Sequence, residues 1–123
     1  MNTKEIGNLG EDTACEYLKS HGYMILQRNY HSRYGEIDII ASKGDTVVFC
    51  EVKTRKNSSF GHASEYVDFR KQKKIIMTSR FYLGNNCTQS ARYDVIEVYY
   101  RLDSLGKFET KSINHIENAF MAQ

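Results

Sequence analysis

Two short stretches of this 123-residue chain carry residues that could do chemistry: Gly35-Glu36-Ile37-Asp38-Ile39-Ile40 and Val48-Phe49-Cys50-Glu51-Val52-Lys53. Both are rich in Ile, Val and Phe, the composition of half-buried strands. Yet each holds charges at alternate positions. Side chains two apart in a strand share a face, so Glu36 projects with Asp38, and Glu51 with Lys53. Brought together on adjacent strands, Asp38, Glu51 and Lys53 would make a site for a hard divalent cation and a phosphate. Two carboxylates ~4 Å apart repel by about 4 kcal/mol at an effective dielectric of about 20. A proton, a cation or strong solvation must offset that repulsion. Mg²⁺ does so with carboxylate oxygens, a backbone carbonyl and waters in octahedral geometry. Lys53 beside it could hold a phosphate oxygen. Such parts make a phosphodiester hydrolase. The plainer alternative leaves both acids solvated on an open sheet face, with Glu36 and Lys53 as a weak ion pair.

Register decides between them. Lys43-Gly44-Asp45-Thr46 is a hairpin turn signal between strands around 36–42 and 47–54. Closing Ser42 on Val47 places Asp38 opposite Glu51 and Glu36 opposite Lys53. Closing Ser42 on Thr46 would send the acids to different faces. Upstream, Ile6, Leu9, Thr13, Ala14, Tyr17 and Leu18 follow helical spacing, and His21-Gly22 supplies a stop. Tyr23 to Tyr30 reads as a strand, followed by a polar turn through His31-Ser32-Arg33-Tyr34-Gly35. Lys56 to Ala63 reads as a loop. A second helix is expected from about Asp68 to Leu83, with Phe69, Ile75, Ile76, Phe81 or Tyr82, and Leu83 on its apolar face and Gly84-Asn85 ending it. Tyr93 to Arg101 is strongly β-prone and Lys107 to Ile113 weakly so. Asn114-x-x-Glu117 predicts the cap of a short last helix. The order is helix, three strands, helix, two strands and a short helix: one mixed α/β or α+β sheet with helices packed on it.

Length fits one domain, 1–123, with a proper core. Hydrophobic residues at 41% and charged residues at 26% are ordinary for a soluble globular protein. No apolar run reaches membrane-span length, and Met1-Asn2-Thr3-Lys4-Glu5 lacks the apolar segment of a signal peptide. Cys15, Cys50 and Cys87 are far apart and odd in number, which suits a reducing cytoplasm. His21, His31, His62 and His115 lack zinc-ligand spacing. The net charge of +2 is small, but its distribution is uneven. From Lys53 to Arg80 the bases Lys53, Arg55, Lys56, Arg70, Lys71, Lys73, Lys74 and Arg80 face only Glu65 and Asp68. A basic stripe opposite an acidic site suits a protein that holds a polyanion and places a metal against it; each lysine taken singly could equally be a solvated surface residue.

The wider pattern resembles a known family. Gly35-Glu36-Ile37-Asp38, a hairpin, then Glu51-Val52-Lys53 resembles the core motif of the PD-(D/E)XK nuclease superfamily, with Ile37 where the literal signature has proline. More narrowly, the chain resembles the YraN-type family of small bacterial proteins, related in fold to archaeal Holliday-junction resolvases. The resemblance takes in Gly7-x-x-Gly10-Glu11, Gly22-Tyr23-x-Ile25-Leu26-x-Arg28-Asn29-Tyr30, Phe49-x-Glu51-Val52-Lys53-Thr54-Arg55, Lys71-Gln72-Lys73, Tyr82-Leu83, Arg92-Tyr93-Asp94-Val95 and Asn118-Ala119-Phe120. It implies a restriction endonuclease-like core, a central mixed β-sheet flanked by helices. It further implies Asp38 and Glu51 as ligands of Mg²⁺ or Mn²⁺, Lys53 as the catalytic lysine, and Glu11 as an additional acidic ligand, direct or through water. Gln72 matches a position that faces the site in related nucleases. The implied activity is metal-dependent hydrolysis of DNA, with branched DNA as a candidate substrate and a homodimer as the analogous assembly. A non-catalytic nucleic-acid-binding module on the same fold is the alternative.

Other residues have two readings each. Glu11 alone would be an exposed helix acid, and Gln72 a solvent-facing helix residue. Arg33, Arg55, Lys56, Arg70, Lys71, Lys73 and Lys74 are the candidate phosphate contacts, some of which must simply solvate the surface. Tyr30, His31, Arg33 and Tyr34 form a basic aromatic turn that could stack on an unpaired base or merely pack. An Arg92–Asp94 pair is expected to support the sheet.

Overall fold

The structure, a computed structural model, describes residues 1–56, 67–84 and 89–122. Helix α1 (Thr3–Ser20) precedes strands β1 (Met24–Ser32), β2 (Gly35–Lys43) and β3 (Thr46–Lys56). Helix α2 (Phe69–Leu83) and strands β4 (Ser90–Leu102) and β5 (Phe108–Phe120) complete the order. The loop expected beyond Lys56, together with His62, Asn85 and Cys87, lies outside the described residues.

Local chemistry sets the helix ends. Asn2 caps α1 by accepting the Glu5 amide at 2.8 Å, and the chain leaves the helix through Gly22 at φ +86°. Asp68 caps α2 by accepting the Lys71 amide at 2.9 Å. The β2–β3 hairpin closes on Lys43↔Thr46, with Gly44 at φ +58° in a two-residue loop. That is one pair tighter than Ser42↔Val47, which also forms, so the expected register is the one observed.

The strands form one sheet in the order β1-β2-β3-β4-β5, antiparallel except for the parallel β3–β4 pair that α2 bridges. The helices cover opposite faces. Ala14, Cys15 and Leu18 of α1 pack on Ile39, Val48, Cys50 and Ile96. Ile75 and Ile76 of α2 pack on Ile40, Val47, Phe49 and Val95. Each buried Leu, Ile, Val or Phe among them contributes on the order of 1.5–3 kcal/mol. This mixed α/β sheet between helices is the restriction endonuclease-like core.

The short last helix does not form; β5 continues to Phe120. Ile116, Ala119 and Phe120 all reach the α2-side core at helix-like i, i+3, i+4 spacing. That spacing comes from a bulge instead. Val95 pairs with Ile116 but Tyr93 with Phe120, and Asn118 within the slip takes φ +54°. Asn114, read as a cap, donates to buried Glu97 at 2.8 Å.

Candidate functional site

The β2–β3 ladder stops at Ile39↔Cys50, one residue short of the two acids. Here Asp38 does what a strand backbone would have done. Its Oδ2 accepts the Val52 amide at 2.8 Å, so the carboxylate sits in the gap between the strands. The alternation of β2 breaks at the same place, since Ile37 joins the α2-side core and Ile39 the α1-side core. Asn29 of β1, between the pairs Arg28↔Ile39 and Tyr30↔Ile37, takes a left-handed φ of +52° at this level. The expected pair of Glu36 with Lys53 is therefore not made, because pairing ends before it reaches them.

Asp38 and Glu51 line one cleft of about 330 Å³, together with Gly35 and Glu36. Arg70, Lys71 and Lys74 of α2 line its other side. Glu51 is only 5% exposed, and the Lys71 ammonium donates to its Oε1 at 2.6 Å. Burial, and next the charge of Glu51, push the Asp38 carboxyl up to about 7, against the opposing pull of the Val52 amide. Burial works to lower Lys71, but its bond to Glu51 outweighs this and holds the ammonium above its ordinary value.

The remaining site candidates are spread around this pair. Glu11 does not complete a three-carboxylate set: among the described residues no three His, Cys, Asp or Glu side chains stand close enough to hold a metal. Arg28 lies 3.7 Å from Glu11, and the Asn29 amide nitrogen, turned towards the acids, reaches Glu11 at 3.1 Å and Glu36 at 3.2 Å. The Glu11 charge still reaches Asp38 through space. Lys53 shares the α2-side face of β3 with Glu51 and engages in no hydrogen bond or ion pair among the described residues. Gln72 turns back to the Val67 carbonyl at 2.7 Å and lines a separate groove with Phe69 and Met77. Lys71, about 100° round the helix, takes the place towards the acids. Arg55 is drawn onto fully buried Glu97 at 3.1 Å. Lys56, Arg70, Lys73, Lys74 and Arg33 are exposed. Lys73 sits over the Phe69 ring at 4.6 Å, and Arg33 over Tyr34 at 5.0 Å.

Sequence reasoning gave Lys71 to the phosphates and missed its place against Glu51. The signal was present: Lys71 lies four residues before Ile75, which is buried, so both share the face turned to the sheet. His115 was also missed. Its Nε2 lies 2.7 Å from Asp94 on the α1 side, where Arg92 clamps the same carboxylate with two bonds.

The donor chemistry suits a hard cation. Two carboxylates face one cleft, the charge of one raises the other, and an ammonium already answers part of that charge. Mg²⁺ commonly takes one or two carboxylates and fills its remaining positions with water and phosphate oxygens. Asp38 and Glu51 are the residues that would hold it.

Fold and cleft together define a class: a small α/β protein with a nuclease-like core and paired acids at the parting of two strands. The family described as "Uncharacterised protein family UPF0102" matches residues 10–98. A UPF0102 protein of Clostridioides difficile is 47% identical, the match covering 98% of this chain and 100% of the relative. Another, from Caldicellulosiruptor saccharolyticus, is 44% identical with the same coverage, and one from Alkaliphilus oremlandii is 48% identical over 95% of this chain and 98% of its own. The chain belongs to the UPF0102, or YraN, family.

Proposed function

We propose that this protein is a divalent-metal-dependent endonuclease that hydrolyses phosphodiester bonds of DNA. The observation that carries this reading is the shared cleft, with Asp38 and Glu51 on one side and Arg70, Lys71 and Lys74 on the other. Asp38 and Glu51 would hold Mg²⁺ or Mn²⁺, which when bound supplies Lewis-acid polarisation of the scissile phosphate. The Val52 amide fixes the Asp38 carboxylate so that it need not reorganise. Lys71, and Lys53 on the same face of β3, supply ammonium groups for charge developing on the phosphate. Arg70 and Lys74 would hold flanking phosphates as position-setting contacts. No helix among the described residues is long and apolar enough to cross a membrane. The buried free thiols of Cys15 and Cys50 fit a cytoplasmic protein, and a homodimer is proposed by analogy with resolvases.

A second reading, a nucleic-acid-binding module that turns over little, draws on the 2.6 Å Lys71–Glu51 pair, which partly neutralises the site without metal. Cleavage of duplex, flapped, branched and single-stranded DNA with Mg²⁺ or Mn²⁺ separates them. Cleavage by wild type that disappears in Asp38→Asn and in Glu51→Gln is the expected result. DNA binding without metal-dependent cleavage would reject the enzyme and leave the module.

A further inference from the structure

Beyond the cleft wall at Gly35, the β1–β2 turn leans on α2. A Cβ added at Gly35 would stand 3.3 Å from the Lys74 Cβ, and Ser32 Oγ meets Thr78 Oγ1 at 2.8 Å. Next along both elements come two aromatic rings. The centroids of Tyr34 and Phe81 lie 5.4 Å apart with their planes tilted by 38°. Phe81 nevertheless stays 53% exposed. Arg33 donates to the Tyr34 hydroxyl at 2.9 Å and extends the pair with a planar cation. Tyr30, inside β1, is spoken for in the interior, edge-on to Tyr82 at 5.3 Å. Phe69, equally exposed at the other end of α2, has an ammonium over its ring but, among the described residues, no second ring beside it.

We propose that Tyr34 and Phe81 form a stacking shelf for an unpaired nucleobase of the DNA strand whose backbone lies in the cleft. The proposal rests on the nucleic-acid reading of that cleft and names the substrate class it selects: DNA with unpaired nucleotides beside the bound phosphates. Charge favours this occupant. Helix α2 carries Arg70, Lys71, Lys73, Lys74 and Arg80 and no acid along its length. Spacing favours it too. Lys74 and Phe81 are seven residues apart on one helix side, about 10 Å, so a strand held by phosphate at Lys74 reaches the shelf within a few nucleotides. Bases inside a duplex keep their faces covered, whereas an unpaired base can lay its π-face on an exposed ring, whatever its sequence.

The chain has no tryptophan, so Phe81→Trp installs a single fluorescent reporter on the shelf. Its emission should be quenched by a single-stranded oligonucleotide or an overhang and unmoved by a blunt hairpin duplex. In anisotropy titrations without metal, Phe81→Ala should weaken binding of the single-stranded probe by about five- to a hundred-fold. Duplex binding should stay within a factor of about two. Equal loss on both probes, or no loss on either together with unmoved tryptophan emission, would overturn the shelf. The reading beneath it fails differently: wild type that binds neither probe refutes the nucleic-acid cleft and the shelf with it. Wild type that binds or cuts DNA while ignoring position 81 refutes the shelf alone.

Discussion

Asp38 is a charged residue doing a backbone's work, and its titration gives a prediction of definite sign. Its carboxyl is raised from 3.8 to about 7 by burial and by Glu51. An acid that protonates more readily when folded adds stability below its unfolded value and loses that contribution as pH rises through its folded value. Metal-free wild type should therefore lose stability relative to Asp38→Asn between about pH 4 and pH 7, then run parallel to it. Denaturant melts in EDTA across that range check this; parallel behaviour throughout would mean that Glu51 and burial do not govern Asp38. Asn keeps an oxygen for the Val52 amide, so the comparison isolates charge. Among the lysines, Lys53→Ala should lower turnover by about two to three orders of magnitude, while DNA binding falls modestly. Equal cutting by wild type and Lys53→Ala would remove Lys53 from catalysis and leave Lys71 as the cation of the site. These acids were legible in the sequence because charges at alternate positions in Ile- and Val-rich runs break a strong pattern. The position of Lys71 was less so, since a lysine in a basic helix breaks no pattern at all.

Where strands part, an aspartate takes the orphaned amide: Asp38 accepts from Val52, and Asp94 accepts from Asn118 at 3.0 Å inside the β5 bulge. Asp94 is fully buried, held also by Arg92 and His115. Burial acts to raise its carboxyl, yet the bonds from His115, Arg92 and the Asn118 amide hold it below the ordinary value. Asp94→Ala leaves half-buried Arg92 with Glu117 at 3.5 Å and strips the Asn118 amide of its buried acceptor, and should cost about 1–3 kcal/mol, with the α1-side amides losing hydrogen-exchange protection first. An effect below about 1 kcal/mol would reduce the cluster to a surface pair. Arg92 and Asp94 could be read as partners from strand spacing. His115 could not, because Tyr17 and His115 meet at 3.0 Å across 98 residues of chain and no local period reports such a contact. The β5 bulge escaped for a related reason, since two extra residues on one strand make its spacing look helical. Helix α1 docks more simply. Gly10 lies so close to Thr54 of β3 that an added Cβ would overlap its hydroxyl. Gly10→Ala should destabilise by about 1–3 kcal/mol, with partial recovery in the Gly10→Ala/Thr54→Ala double variant; additive losses would place the strain elsewhere.

On the scale of the whole molecule, charge is sorted by element. The basic rim of α2 stands over acids supplied by β2 and β3, so on the proposed function a polyanion drawn to the rim would meet the carboxylates. Arg70 and Lys74 line that cleft, whereas Lys73 lines the groove on the other side of the helix. Replacing Arg70 and Lys74 together should flatten the dependence of log K on log salt by about 1.8, at ~0.9 for each phosphate contact. Lys73→Ala should change it little, and the opposite ranking would move the DNA to the outer groove. The sheet order and the parallel β3–β4 step were foreseeable, because a hairpin followed by a helix and a strand leaves few unknotted paths. One consequence of the layout concerns inheritance. Every described residue lining the cleft falls within residues 35–75, and adding Arg33, Tyr34 and Phe81 widens the stretch only to 33–81. On the proposed reading, the recognition surface is a single cassette of the gene, joined to elements α1, β1, β4 and β5. Recombination between family members could exchange substrate preference in one crossover pair without disturbing the Asp94 cluster. A chimera bearing residues 33–81 of a relative should therefore bind like the donor of the cassette, which salt-dependent binding of both parents and the chimera checks.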